Sequence, residues 1–438
     1  MPRKPIAAPA PPPGPGSRDL EDLAQFEDDR NAAIERQDVE RWLSQVPSIK
    51  SLRPYRAQFE MLGDYLVEVE LEGEDLHLWR AYRELIMQRL TGVYDDFLGL
   101  TDIIVQDLFY FFVRNEHLAQ VKSRYAKKVV PLTFLGRSED YYYTYAGDHA
   151  LPIVVVSIPQ SRVGSVWNWL AIPHEVGHHI LAHFAGYEDE LSMQVVRGLK
   201  PLKLEVTRHT YPLRTPTKAL VATIWFNWLE EVVADIFGIL FTGPAQVMAR
   251  QEDACRMLPY GVGAEGSLFD SQHGGFSRYP TCFVRCLFQS DVLRYLGYGD
   301  WADKLDARWI RRWGNLPELH WYDDAPMDEG ATRIPLFSMS VETVRRTFRA
   351  LLPLILDTPV DAFGGASLRS IAHYDEEDHA RVERISAGLL AGQTAFERKD
   401  RARHILAASR FAFETAPSQQ EEIHATAVEA ILNCRKWL

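Results

Sequence analysis

Residues 174–178 read His174-Glu175-Val176-Gly177-His178, the pattern H-E-x-x-H. On a helix, positions i and i+4 share one face, so both imidazoles can reach one metal ion. Glu175 then lies on the side where a water would be activated. It can take a proton from that water and return it to a leaving amine. Catalytic zinc takes three protein ligands and keeps a fourth position open, here for water. The histidine pair therefore needs a third ligand. A histidine six residues past the second is excluded, because Phe184 stands there. His179 points about 100° away from His178 around the helix, and His183 comes one residue too soon. Both are expected to be surface residues or supports for the site.

The third ligand is expected downstream. From Ala219 to Leu240 the chain is apolar apart from a few polar residues, and Asn227, Glu231 and Asp235 recur at i, i+4, i+8. A helix apolar nearly all round is buried, and a buried carboxylate must be paired or bind a cation. Glu231 is the candidate ligand. Glu230 falls about 100° off this stripe. The competing reading is an exposed acidic face on a half-buried helix.

This combination resembles the gluzincin metallopeptidases, in which a second helix carries a glutamate ligand followed four residues later by an aspartate. Glu231 and Asp235 match that E-x-x-x-D spacing. The resemblance implies Zn²⁺ held by His174, His178 and Glu231, with Asp235 orienting one zinc histidine through its free ring nitrogen. The segment Glu231-Val232-Val233-Ala234-Asp235 ends in Ala-Asp, and Glu231 lies 53 residues beyond His178. Both features are similar to the prenyl-protein and heat-shock membrane protease family. That family also has His-Pro followed, five residues after the proline, by arginine. Here Arg285 keeps the spacing after Pro280, while Tyr279 replaces the histidine. Tyr279 could stabilise an oxyanion, as could Arg278 or His273. Alternatively Tyr279-Pro280 simply opens a helix and Arg285 is a surface charge. The resemblance covers roughly residues 150–286.

Several elements must position these residues. Val176, Ile180 and Phe184 form the core stripe of a metal helix. Pro173 suits its first turn and Gly186 its stop, while Gly177 allows close packing at about 1 kcal/mol of helix propensity. Strands are expected near 130–135, 141–145 and 151–158. If the strand in 151–159 is a sheet edge, it would pair with the main chain of a peptide substrate. If not, it is a plain buried strand. Helical texture dominates elsewhere, broken by a Gly-rich stretch at 261–278 and a Pro/Gly/Asp-rich one at 314–335. The Gly-rich stretch is a candidate restraint over the cleft.

The expected fold class is α+β and mostly α-helical, a zincin-like core with a small sheet and an active-site helix. A Pro-rich disordered lead-in (1–17) precedes an N-terminal helical region (18–128), the catalytic core (129–298) and a C-terminal helical region (299–438). The 438 residues carry 48 basic and 60 acidic side chains, a net charge of −12. This argues against nucleic acid and against a basic membrane-surface protein. Glu230, Glu231 and Asp235 make Ala219–Leu240 a poor membrane span. Four cysteines in this length exclude a disulfide scaffold, and Cys282 and Cys286 read as free buried thiols. The expectation is a cytoplasmic zinc endopeptidase acting on protein or peptide, without nucleic-acid partner or membrane insertion. The alternatives are a catalytically degenerate scaffold that binds a partner, or a zinc hydrolase of a non-peptide amide.

Overall fold

The computed structural model describes residues 55–68, 76–121, 131–136, 142–144, 153–210, 215–257, 266–270, 275–323 and 334–437, with isolated residues 37, 41 and 44. The expected lead-in at 1–17 and His273 lie outside the described residues, as does most of 18–54 in the expected N-terminal helical region. The chain divides into two compact units, Met1–Val93 and Tyr94–Leu438.

In the first unit, α1 (Arg56–Glu68) and α2 (Leu76–Thr91) are the described helices. Phe59, Leu62, Leu85 and Ile86 are buried. The Tyr82 hydroxyl donates to the Phe59 carbonyl at 2.7 Å, which satisfies the phenol where it is buried.

The second unit begins with α3 (Asp95–Val113), a helix expected to belong to the N-terminal region. Its Asp102 carboxylate accepts from the backbone N–H and the hydroxyl of Thr133, both at 2.9 Å. That bond ties α3 to β1 (Leu132–Gly136), so the sheet and α3 share one core. The expected boundary near 129 therefore falls inside a unit that runs from Tyr94 to Leu438.

The first sheet has the order β1-β3-β2, with β2 at Tyr143–Thr144 and β3 at Val155–Pro159. β3 pairs in parallel with β1 and antiparallel with β2. It is thus the central strand and buried along its length. The expected substrate-pairing edge at 151–159 is corrected: a run apolar on both faces is the mark of a covered strand.

The metal helix is α4 (Ile172–His183), with Pro173 in its first turn. Gly186 adopts φ 85° and caps the start of α5 (Tyr187–Leu199). α6 (Thr217–Thr242) has 26 residues, a span of about 39 Å. α7 (Pro244–Met257), α8 (Cys282–Tyr295) and α9 (Gly299–Trp313) follow. α4 and α6 approach closely at Gly177, where an added Cβ would lie 3.0 Å from Ala234 Cα and 2.9 Å from Phe237 Cβ. Close approach of two backbones here requires glycine. Trp225 on α6 stacks with Phe288 of α8 at 5.4 Å between ring centroids, which fixes α6 against its other neighbour.

A second sheet was not expected. Its order is β4-β8-β7-β5-β6. The strands are β4 (Thr207–Arg208), β5 (Gly266–Asp270), β6 (Gly275–Phe276), β7 (Glu318–Asp323) and β8 (Phe337–Ser340). β5 and β6 occupy part of the Gly-rich stretch at 261–278. Trp228 on α6 stacks on Trp321 of β7 at 6.0 Å, so this sheet covers α6. α10 (Val341–Asp357), α11 (Leu368–Ile371), α12 (Glu376–Leu390), α13 (Ala402–Thr415) and α14 (Gln420–Cys434) complete the chain. The fold is mostly helical with small sheets. No described helix is long and apolar enough to cross a membrane.

Candidate metal centre

One turn of α4 brings the Nε2 atoms of His174 and His178 to 3.1 Å of each other. Glu231 reaches them from α6, with one carboxylate oxygen 3.4 Å from His174 Nε2 and the other 3.5 Å from His178 Nε2. Ligands about 2.0–2.1 Å from zinc in tetrahedral array lie about 3.3 Å apart. These separations are compatible with a shared ion, and His174, His178 and Glu231 are a group among the described residues that could hold a metal.

Each histidine is held at its other nitrogen. His174 Nδ1 lies 2.9 Å from Asp235 Oδ1. His178 Nδ1 donates to Glu230 Oε1 at 3.0 Å. A carboxylate only accepts, so the ring proton sits on Nδ1 and the Nε2 lone pair faces the centre. A metal ion there would meet both Nε2 atoms and the carboxylate, and without one a proton on His174 fills part of that role.

Two arginines complete the arrangement. Arg285 is buried, with 3% of its side chain exposed, and meets Asp235 at 2.5 Å through Nε and Glu231 at 2.8 Å through Nη2. The alternative reading of Arg285 as a surface charge is corrected. Arg278 is 65% exposed and bonds Glu230 Oε2 at 2.5 Å. Arg278 is also the expected alternate to Tyr279 at the oxyanion, and one of its nitrogens is engaged by Glu230.

Burial disfavours the charged form of His174, yet Asp235 and Glu231 outweigh it and raise the imidazole to about 9. Burial pushes Glu231 and Asp235 up, but Arg285 and the histidines hold both well below the usual carboxylate range. Without a metal the centre thus keeps a proton on His174, which an ion must displace. Glu175 is 7% exposed. Burial raises its carboxyl, with Glu231 adding and the histidines opposing. A raised carboxyl is a stronger base near neutral pH.

Tyr279 is 57% exposed. Partial burial and the Glu231 charge raise its phenol, so it stays an O–H donor beside the centre. Asn227, expected on the polar stripe, turns to the Thr223 carbonyl at 2.8 Å and takes no part. His179 and His183 are not surface residues: both are almost fully buried. His179 Nε2 lies 3.0 Å from the Val155 carbonyl oxygen and 3.2 Å from the Val155 backbone nitrogen, which anchors α4 to β3. Burial lowers its pKa to about 4.

Glu230 and Arg285 were the residues the sequence reading undervalued. For Arg285 a signal existed: it is a lone charge in the first turns of the apolar run Cys282–Phe288, the same pattern that singled out Glu231. No protein-family model matches this chain, and no curated protein or solved structure shows detectable similarity to it.

Proposed function

We propose that this chain is a zinc-dependent endopeptidase of gluzincin type, with residues of the second unit forming a zincin-like core. The observation that carries the reading is the triad His174, His178 and Glu231 at zinc-like separations, with the buried Glu175 on the same helix. Glu230, Glu231 and Asp235 meet the guanidinium groups of Arg278 and Arg285, a cluster of carboxylates that suits a divalent cation. Bound there, Zn²⁺ supplies Lewis acidity that activates a water and polarises a scissile carbonyl.

The chain's own residues do the rest. Glu175 accepts the water proton at its carboxylate and passes it to the leaving amine. Asp235 and Glu230 hold the two imidazoles in the tautomer that presents Nε2. Tyr279 donates its O–H to the developing oxyanion. β6 is a terminal strand of its sheet among the described residues and leads within three residues to Arg278 and Tyr279. An extended peptide can pair there, which supports a protein or peptide substrate. The four unpaired cysteines support a reducing, cytoplasmic setting.

With β3 in the centre of its sheet, one argument for peptide over a non-peptide amide falls away, so that second reading is kept. The intact, buried Glu175 argues against a degenerate scaffold, which needs no base. The test is a screen of denatured proteins and a peptide library with the zinc-loaded chain. Cleavage that a chelator abolishes and zinc restores is expected. Binding of zinc without cleavage of any peptide would overturn the peptidase reading.

A further inference from the structure

We propose that Glu230 and Arg278 form an ionic clasp at the mouth of the site that positions His178 for the metal. The proposal rests on the zinc reading and deepens it. Both oxygens of Glu230 are used. Oε1 accepts from His178 Nδ1 at 3.0 Å and Oε2 accepts from Arg278 at 2.5 Å. Fixed at both ends, the carboxylate cannot rotate away, and the imidazole it holds keeps its proton on Nδ1 and its lone pair on Nε2. Arg278 belongs to the connection between β6 and α8, distant in sequence from α4. The clasp therefore joins three segments: α4 through His178, α6 through Glu230, and the β6–α8 connection through Arg278. Tyr279 is the next residue in that connection, so the same bond steadies the candidate oxyanion donor.

The clasp differs from the buried support of His174 in its exposure. Arg278 is 65% and Glu230 26% exposed. An exposed ion pair is weakened by salt, since the screening length falls to about 3 Å at 1 M. Glu230 and Arg278 are positioning residues: Glu230 acts through His178 Nδ1, and Arg278 acts through Glu230.

The experiment measures zinc affinity by chelator competition in the full chain and in Glu230→Ala, Glu230→Gln, Arg278→Met and the double variant Glu230→Ala/Arg278→Met. Loss of an orienting partner costs about 10–100-fold in metal affinity, and that loss is expected for Glu230→Ala. Glu230→Gln, which keeps an acceptor oxygen, should lose less. Arg278→Met should weaken zinc about two- to fivefold at low salt and have no effect at 1 M salt. In the Glu230→Ala background Arg278→Met should add nothing. Cobalt-loaded Glu230→Ala should show a shifted visible d–d spectrum, because the His178 ring is freed. If Glu230→Ala does not fold, Glu230→Gln carries the same comparison. Wild-type affinity in both Glu230 variants would overturn the clasp, as would an Arg278→Met effect of equal size in both backgrounds. A wild-type chain that takes up no zinc would overturn the zinc reading itself, a separate outcome.

Discussion

His174 and His178 stand one turn apart on one helix, yet the protein secures them by different means. His174 leans on Asp235, which Arg285 grips with two nitrogens in a pocket closed to water. His178 leans on Glu230, which a solvent-exposed arginine holds from outside. The inner support is part of the core, and removing a member strands a buried charge. The outer one is a surface pair whose strength solvent and salt moderate. One imidazole is thus fixed by folding and the other by a bond that can be adjusted without unfolding.

Arginine replacements should expose this contrast most strongly. Arg285→Met leaves Asp235 and Glu231 buried without their cation, and the metal-free chain should lose about 3–5 kcal/mol of stability. Arg278→Met should cost under about 1 kcal/mol. Urea unfolding of the two variants measures the difference, and equal losses would erase the distinction between the supports.

Acid should act on the anchor of the metal helix. Folding lowers His179 from 6.5 to about 4, so the folded state excludes a proton that the unfolded chain binds. Stability is complete above pH 6.5 and falls as pH drops toward 4, by about 3 kcal/mol for a shift of this size. His404, buried beside Arg403, moves in the same direction. His174 is raised to about 9, so its contribution is full below pH 6.5 and is lost as pH climbs toward 9. The two histidines act in separate windows. Denaturation of the metal-free chain at pH 7, 5.5 and 4 reads the first, and His179→Gln should flatten that profile.

Spacing between the two helices is the finer control. At Gly177 a methyl group would press on the Ala234 backbone. Gly177→Ala should cost about 1–3 kcal/mol through overpacking, offset by up to about 1 kcal/mol of helix propensity. It should also weaken zinc binding, since α4 and α6 carry ligands on both sides of that contact. A more stable variant with unchanged zinc affinity would show that the helices can move apart freely.

The sequence made the candidate site more legible than the frame. H-E-x-x-H needs only one helix, and Glu231 and Asp235 stand out as carboxylates in an apolar run. Glu230 was set aside because it lies off the stripe of Glu231 and Asp235. Yet two imidazoles converging on one ion turn their Nδ1 atoms outward in different directions, so their partners cannot share one stripe. The second sheet was missed because its strands are short and lie among glycines and prolines. Its period-2 signal was present: Leu319 and Trp321 are buried while their neighbours are not. Strand order in the first sheet depends on pairings between distant residues, which local pattern does not encode. His179 was read from its angle to the metal face alone, although its place beside Val176 and Ile180 points it toward the core.

The most direct test of the central claim compares the wild-type chain with Glu175→Gln, measuring bound zinc and peptide hydrolysis on the same samples. The expected result is stoichiometric zinc in both, with hydrolysis reduced about 10²–10⁴-fold in the variant. Hydrolysis that survives in Glu175→Gln, or a wild-type chain that cleaves peptide without zinc, would contradict the account.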